Sequence, residues 1–224
     1  QQLDLYPDKN KFDGVFGLWY GKGPGVDRCS DVFKHANMVG TAKHGGVVAV
    51  AGDDHVAKSS SVAHQSDHIF KACGLPVFFP ANVQEILDFG LHAFALSRFS
   101  GLWAGLKAIQ EVVESASSVL VDPDRVRILL PEDFAMPPGG LHIRWPDSPL
   151  EQEARLMDFK WYAALAYIRA NRLNRTVIDS AQARLGLIAS GKAYNDTRQA
   201  LHDLGLDDLT CARIGIRLHK VGVV

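Results

Sequence analysis

The fold is decided by residues 47–66, which read VVAVAGDDHVAKSSSVAHQS. The apolar run over residues 47–51 stops at Gly52, and Asp53, Asp54 and His55 follow it directly. An apolar run of this length between turn signals is typical of a buried strand in a parallel sheet. Ligands of open α/β sheets bind beyond the carboxyl ends of the strands, so these polar residues stand where a binding site is expected. A solvated loop of helix-capping residues is an alternative that the spacing leaves open.

The composition is that of a globular protein. The chain has 224 residues, of which 47% are hydrophobic and 22% are charged, so it has room for one large domain or two small ones. The formal net charge of −1 gives no electrostatic footprint for nucleic acid or for an anionic membrane. The sequence shows no signal peptide and no apolar run long enough to cross a bilayer.

The cysteines predict free thiols. Cys29, Cys73 and Cys211 are odd in number and far apart, which favours a reducing compartment and a cytoplasmic location. Three separated thiols also exclude a cysteine-rich iron–sulfur or zinc site within this chain. The chain opens on Gln1 and ends on Val224, which we interpret as a piece of a longer polypeptide or a processed one.

Strands and helices alternate over the first half of the chain. The apolar runs predict strands over residues 14–20, 47–51, 76–79 and 101–108. Helices are expected over residues 31–43, where Asp27 or Ser30 is the cap, and after Ser66, where Gly74 is the terminator. Asn82, with Glu85 three residues later, begins a further helix in the manner of a capping box. This alternation predicts βαβ units and a parallel sheet flanked by helices.

The pattern breaks after residue 120. Residues 120–149 contain five proline sites and the pair Gly139–Gly140, which is typical of a linker or an irregular extended segment. A long helix then begins near residue 154, a strand follows over residues 185–189, a helix over residues 194–204 and a strand over residues 214–224. We therefore divide the chain into an α/β domain over residues 1–120, a linker over residues 121–150, and a truncated second α/β domain over residues 151–224.

Three apparent motifs are rejected. Residues 186–192 have the spacing of a phosphate-binding loop, but Ala193 replaces the Ser/Thr that would hold Mg²⁺, and a turn capped by Ser190 explains the same residues. His64 and His68 could share a helical face, yet no recognised metal signature accompanies them, and surface histidines are the simpler interpretation. Three serines, residues 59–61, lack the glycine context of a hydrolase nucleophile.

Residues 21–27 form a glycine-rich loop in the prediction. Glycines at positions 21, 23 and 25 allow the backbone to approach a ligand, and Lys22 and Arg28 add positive charge. A carboxylate or a phosphate is the natural guest of such a loop. Turn geometry alone also explains the glycines, because the spacing is not G-x-G-x-x-G.

Several linked segments resemble the large fused indolepyruvate ferredoxin oxidoreductases. They are LWYGKGPGVDRCSDVFKHAN (residues 18–37), GDDHVAKSSSVAHQSDHIF (52–70), PANVQEILDFGLHAFALSRFSG (80–101), PPGGLHIRWPDSPLEQEARL (137–156) and LGLIASGKAYNDTRQALHDLGLD (185–207). They stand in the family's order and cover nearly the whole chain, which makes the match far more specific than any single motif.

The resemblance implies a fold and an activity. The fold is the thiamine diphosphate-binding type, in which residues to about 120 are most of the aminopyrimidine-binding domain and residues from about 151 begin a transketolase C-terminal-like domain. The activity is oxidative decarboxylation of an aryl 2-oxo acid to an acyl-CoA, with electrons passing through iron–sulfur clusters to ferredoxin. A homo-oligomer is also expected.

The matched segments and their loop positions suggest a set of site residues. We expect Lys22, Gly23 and Gly25 to lie near the cofactor's pyrimidine or the substrate carboxylate. Ser59, Ser60 and Gln65 are the candidate substrate contacts. His64 is the candidate acid/base, because an unperturbed imidazole titrates near neutrality.

The resemblance also indicates what this chain does not supply. The glutamate that bonds the aminopyrimidine is expected shortly before Gln1, and the Mg²⁺–diphosphate motif belongs to a separate domain. The chain alone is therefore expected to be inactive and to bind none of these cofactors. Two other interpretations stay open, namely a thiamine-dependent 2-oxo acid decarboxylase or dehydrogenase component, and a non-catalytic α/β interaction module.

Overall fold

The computed structural model describes residues 7–9 and 11–224. Residues 1–6 and residue 10, which belong to the predicted first domain, lie outside the described residues. The first layer is a four-stranded parallel sheet with the strand order β1-β2-β4-β3. Its strands are β1 (Phe16–Lys22), β2 (Gly46–Asp53), β3 (Val77–Phe78) and β4 (Ala104–Ile109). The prediction of a parallel sheet flanked by helices is confirmed.

Helices connect these strands and follow the last of them. They are α1 (Gly23–Arg28), α2 (Ser30–Val39), α3 (Asp67–Ala72), α4 (Val83–Ser100) and α5 (Gln110–Val113). Further along come α6 (Pro149–Arg155), a π-helical turn (Leu156–Lys160) and α7 (Trp161–Ala170), which continue one another. This continuous helix is the long helix that the sequence predicts.

A second, smaller sheet forms from the end of the chain. Its strands are β5 (Arg175–Ile178), β6 (Leu185–Ser190) and β7 (Ile216–Val221), and its helices are α8 (Gly191–Asp203) and α9 (Asp208–Ile214). The order is β5-β7-β6, with β6 parallel and β5 antiparallel to β7. The predicted second α/β unit is present, but β5 was missed and makes its sheet mixed.

The two faces of the parallel sheet bury different apolar clusters. Val48 packs with α4 and α7 in a cluster that includes Leu96 and Tyr167. Ala49 points the other way and packs with Phe33 of α2 and Phe70 of α3. The two residues face opposite sides because successive side chains of a strand alternate between the faces of the sheet. The same rule determines which face each side chain at the carboxyl ends of the strands belongs to.

The predicted helix caps are only partly present in the structure. Asn82 caps α4 as predicted, because its side chain accepts a hydrogen bond from the Glu85 N–H at 2.9 Å. Ser66 precedes α3 as predicted but makes no capping bond, because its hydroxyl donates to Asp53 instead. Ser190 likewise precedes α8 without a side-chain cap, and the cap of α2 is Cys29 rather than Asp27 or Ser30.

The predicted glycine-rich loop is wrong in its conformation. Gly21 and Lys22 complete β1, and Gly23 begins the short helix α1. Pro24 stands in the first turn of α1, where its fixed φ suits a helix and its missing N–H is not needed. Burial of Val26 in the cluster under α2 fixes the turn against the sheet.

The irregular segment after α5 is packed against the first sheet's helices. Residues 114–148 contain no helix or strand. Leu141 is fully buried, and the Ile143 N–H donates to the Thr41 carbonyl at 3.0 Å. The segment is thus irregular, as predicted, and in part buried; the domain boundaries that we drew at its ends remain predictions.

The end of the chain joins the two layers. The Val77 N–H donates to the Val224 carbonyl, and the Val224 N–H returns to the Val77 carbonyl, each at 2.9 Å. Residues 222–224 therefore cover the outer edge of β3 as a short antiparallel segment. Over the described residues, no helix is both long and apolar enough to cross a membrane.

Candidate functional site at the carboxyl ends of the parallel strands

A cleft of about 560 Å³ opens where β1, β2 and β4 end. Its apolar walls include Tyr20 and Val50, and its polar residues include Lys22, Asp54, Ser59 and Gln110. Tyr20, Lys22 and Val50 share the face of the sheet that α4 covers, because Tyr20 pairs with Val50 and Lys22 lies two residues further along β1. The site expected at the end of the central strand is therefore a concave surface lined by one cation, Lys22, and by three acidic residues, Asp53, Asp54 and Glu114.

Lys22 is hydrogen-bonded to the loop that follows β2. The Lys22 ammonium donates to the Ser59 carbonyl at 2.5 Å. The Ser59 N–H and hydroxyl donate to Asp54 Oδ2 at 2.7 and 3.2 Å, and the Lys58 N–H donates to Oδ1 at 3.0 Å. The hydrogen bond from the Ser59 N–H is the main cause that lowers the pKa of Asp54, against the effect of burial. Asp54 is thus a carboxylate at neutral pH.

Asp53 is hydrogen-bonded to the far end of the same loop. Its carboxylate accepts from the Ser66 N–H at 2.8 Å and from the Ser66 hydroxyl at 2.5 Å. The buried ammonium of Lys107 lies 3.6 Å from Asp53 Oδ2, forms an ion pair with Asp67, and sits 4.6 Å from the centre of the Phe79 ring. Burial acts to raise the pKa of Asp67, but the hydrogen bond and charge of Lys107 outweigh it and the pKa is lowered.

His64 lies against α1 rather than in the cleft. A Cβ added to Gly23 would come within 2.4 Å of the His64 Cγ, so only glycine leaves room for this imidazole. His64 Nδ1 is 3.8 Å from Asp27 Oδ2, and the side chain is 15% exposed. The backbone N–H of His64 donates to the Asp54 carbonyl at 3.0 Å. This bond fixes the backbone of His64 relative to the start of the loop that contains Ser59.

The predicted site residues therefore divide into groups. Lys22 and Ser59 line the cleft together, and Gly23 and His64 pack on each other. Gly25 has no atom within 4 Å of an added Cβ, Ser60 is half-buried and Gln65 is exposed. None of these last three residues lines the cleft.

Three buried side-chain atoms near these strand ends have no hydrogen-bond partner among the described residues. They are His55 Nε2, Gln110 Oε1 and Glu111 Oε2. A buried polar atom without a partner costs free energy, so a bound polar ligand is the natural complement of this edge. Lys22, Gln110 and the apolar walls fit a carboxylate or a planar polar ring, such as the aminopyrimidine of thiamine diphosphate.

Other parts of the expected cofactor set do not fit this chain. Among the described residues, no group of three His, Cys, Asp or Glu side chains could hold a metal ion, so no site for a Mg²⁺–diphosphate group is found there. The three cysteines are free, and a thiolate-bound iron–sulfur cluster typically uses four.

Sequence reasoning missed several of the residues that build this edge. Lys107 lies in the fully buried strand β4, and its pairing with Asp53 and Asp67 joins residues far apart in sequence. Asp27 was considered only as a helix cap, and Asp54 only as a polar residue of the loop after β2. The one signal for Asp54 was its place directly after an apolar run.

Comparison with known proteins identifies relatives of one kind. Residues 174–224 match the family described as "Indolepyruvate ferredoxin oxidoreductase middle domain". The indolepyruvate oxidoreductase subunit IorA of Methanothermobacter thermautotrophicus is 30% identical over 200 residues, which are 87% of this chain and 31% of that subunit. The IorA subunit of Pyrococcus abyssi is 25% identical over 210 residues, 90% of this chain and 31% of the relative. The chain thus spans about a third of the length of these relatives.

A solved structure has a similar fold. The 2-oxoglutarate:ferredoxin oxidoreductase from Magnetococcus marinus, with 2-oxoglutarate, coenzyme A and succinyl-CoA bound, superposes with a TM-score of 0.55 at 14% identity. The similarity covers 95% of this chain and 42% of that one. The sequence relatives confirm that this chain resembles a segment of the indolepyruvate ferredoxin oxidoreductases, and the solved structure shows a shared fold.

Proposed function

We propose that this chain is part of an oxidoreductase that oxidatively decarboxylates indolepyruvate or a related aryl 2-oxo acid to its acyl-CoA. The IorA relatives support the reaction class, and the cleft with Lys22 at the carboxyl ends of the strands supports a carboxylate substrate. When bound, thiamine diphosphate supplies the carbanion-stabilising chemistry, and iron–sulfur clusters carry electrons to ferredoxin. The Mg²⁺–diphosphate site and the clusters belong to other parts of the enzyme in this proposal. A cytoplasmic homo-oligomer is part of it as well.

In this proposal the chain's own residues bind and orient the substrate. The Lys22 ammonium faces the 2-oxo acid carboxylate or the cofactor ring, with Gly23 and Gly25 as neighbouring backbone. Ser59 supplies a polar contact on the substrate side, whereas Ser60 and Gln65, the other two candidates, lie outside the cleft. His64, which lies against α1 outside the cleft, is the proposed proton carrier, and the Asp27 carboxylate 3.8 Å from its Nδ1 is a charged neighbour.

The complete gene product tests the reaction. It is purified without oxygen and supplied with thiamine diphosphate, Mg²⁺, CoA and a viologen acceptor. CoA-dependent viologen reduction that is faster with indolepyruvate than with pyruvate or 2-oxoglutarate is the expected result. Cluster-loaded enzyme that reduces viologen with none of the three acids would instead favour a non-catalytic module.

Two substitutions in that enzyme test the residue roles. Lys22→Ala is expected to raise KM for indolepyruvate about tenfold or more, since a charge-assisted hydrogen bond contributes about 1.5–3 kcal/mol. His64→Gln is expected to lower kcat about a hundredfold, the lower range for loss of a general acid/base. Lys43→Ala and His202→Gln change exposed side chains and serve as controls. Unchanged kinetics in either test variant would remove the corresponding role.

A further inference from the structure

We propose that Asp54 is a positioning residue for the substrate carboxylate and acts through Ser59 and Lys22. The inference rests on the proposed function, because it assigns the cleft to a 2-oxo acid. It concerns a residue that touches neither the reacting atoms nor the carboxylate itself. Its effect is on where the Lys22 ammonium stands.

The first link is from Asp54 to Ser59. Asp54 is 2% exposed, and both of its carboxylate oxygens are used by the loop that follows it. Three hydrogen bonds reach it, from the Lys58 N–H, the Ser59 N–H and the Ser59 hydroxyl. Since bonds to a charged acceptor are the strong ones, residues 58 and 59 are held in one place relative to β2.

The second link is from Ser59 to Lys22. A lysine side chain has four rotatable bonds and loses substantial rotamer entropy when it is fixed. The Ser59 carbonyl takes one of the three ammonium donors at 2.5 Å, and this bond bridges the end of β1 and the loop after β2. With Ser59 fixed by Asp54, the ammonium is held at the wall of the cleft with two donors left for a ligand. The Lys22 side chain is therefore already ordered before a carboxylate binds, so binding loses less side-chain entropy.

Asp54 has a second and opposite effect through its charge. The positive charge of Lys22 is one of the causes that lower the pKa of Asp54, so the two groups interact electrostatically. A carboxylate this close to Lys22 repels an incoming carboxylate. Hydrogen bonding by Asp54 therefore favours substrate binding while its charge opposes it, and two substitutions separate these contributions.

Asp54→Ala removes both contributions, whereas Asp54→Asn removes the charge and keeps one acceptor oxygen, which can serve the Ser59 N–H and hydroxyl while the Lys58 N–H loses its acceptor. Asp54→Ala is expected to raise KM for indolepyruvate about tenfold, and to weaken binding of oxamate, an unreactive 2-oxo acid analogue, by the same factor. The kcat value is expected to stay within about twofold, since Asp54 acts on binding. Asp54→Asn is expected to bring both constants back toward the wild-type values, through the acceptor oxygen that it keeps for Ser59.

Asp207→Ala provides the matched control. Asp207 makes the same kind of bond, accepting from the Thr210 N–H at 2.7 Å at the start of α9, in the second sheet's layer. Its loss is expected to lower the free energy of unfolding, as loss of a cap does, with KM and the oxamate affinity unchanged. The control separates a general loss of stability from a loss of positioning.

The outcomes are distinguishable. Unchanged KM and oxamate affinity in Asp54→Ala would overturn the inference while leaving the proposed function intact. Asp54→Asn that binds as weakly as Asp54→Ala would overturn it too, because hydrogen bonding would then not be the cause. A wild-type enzyme that oxidises no 2-oxo acid would refute the proposed function, and the oxamate affinities of the same variants would still decide the role of Asp54. Absence of oxamate binding to the wild type would overturn the inference as well.

Discussion

Gly23 and Gly25 are two residues apart in α1 but have different surroundings. An added Cβ at Gly23 would lie 2.4 Å from the His64 Cγ, a distance that no real Cβ contact shows. Gly23→Ala is therefore expected to displace the imidazole and to lower the free energy of unfolding by about 1–3 kcal/mol, the range for overpacking. Denaturant unfolding of the purified protein measures this change.

Gly25→Ala is the matched control. Nothing lies within 4 Å of an added Cβ there, and the residue is inside a helix. Alanine is expected to stabilise by about 0.5–1 kcal/mol, because glycine loses more backbone entropy in a helix. Equal losses in the two variants would show that His64 does not occupy the space beside Gly23.

At the residue scale, the sequence predicted site residues but not their connections. Loop position and the family resemblance selected Lys22, Ser59 and His64, whose roles stay predictions. The partners of these side chains come from distant elements: Lys22 meets Ser59 across 37 positions, and Lys107 meets Asp67 across 40. No local spacing encodes such pairs, so Lys107 could not be assigned from one sequence.

At the scale of elements, Lys160 joins two helices. Its side chain is 1% exposed, and its ammonium donates to the Met38 and Val39 carbonyls at 3.1 and 3.4 Å. These carbonyls end α2, where the helix dipole favours a cation. Among the described residues, no carboxylate pairs with Lys160. The lysine therefore holds the π-helical turn before α7 against the end of α2 without a counter-charge.

Burial of Lys160, together with the charge of Arg155, lowers its pKa from 10.5 to about 8. Between these two pH values the unfolded chain keeps a proton that the folded protein has lost, so this group makes the free energy of unfolding rise with pH. The rise amounts to about 3 kcal/mol, at 1.36 kcal/mol for each pH unit. Lys160→Met is expected to lack it.

The measurement is the difference in unfolding free energy between wild type and Lys160→Met from pH 7.5 to pH 10.5. Taking the difference cancels Tyr167, whose pKa is raised by burial and which acts in the opposite sense at high pH. A difference that does not change with pH would mean that Lys160 keeps its ordinary pKa. It would show that the Met38 and Val39 carbonyls at the end of α2 offset the cost of burying the charge.

Elements with a strong local signal were predicted correctly. The Asn82–Glu85 pair began α4, and the apolar runs gave β1, β2 and β4 to within three residues at each end. The helix α1 was missed because glycine and proline are poor helix formers, and its burial against β1 and β2 outweighs that preference. The prediction that Ser66 caps α3 was wrong, because the Ser66 hydroxyl donates to Asp53, 13 residues earlier in the chain.

At the scale of the whole molecule, the two sheets meet through Asn174. Its amide oxygen accepts from the Gly222 and Val223 N–H groups at 2.8 and 2.9 Å, and its amide nitrogen donates to the Val223 carbonyl at 2.8 Å. This places residues 222–224 on the edge of β3. The sequence predicted both α/β units, but their docking depends on these long-range bonds and had no local signal.

Asn174→Ala is expected to lower the free energy of unfolding by about 2–3 kcal/mol, since two part-buried N–H groups and one carbonyl lose their partner. Because the bond network aligns residues 222–224 with β3, amide exchange at Val77 and Phe79, which donate to the carbonyls of Val224 and Gly222, is expected to speed up. Asn171→Ala is the control, because Asn171 also bonds to the backbone of a distant segment: it accepts from the Leu129 N–H and donates to the Leu129 carbonyl, both at exposed positions. A smaller loss of stability is expected there, because these bonds are exposed, with faster exchange at Leu129 and unchanged exchange at Val77. Faster exchange at Val77 in both variants would show that general destabilisation, and not the edge of β3, is what Asn174 controls.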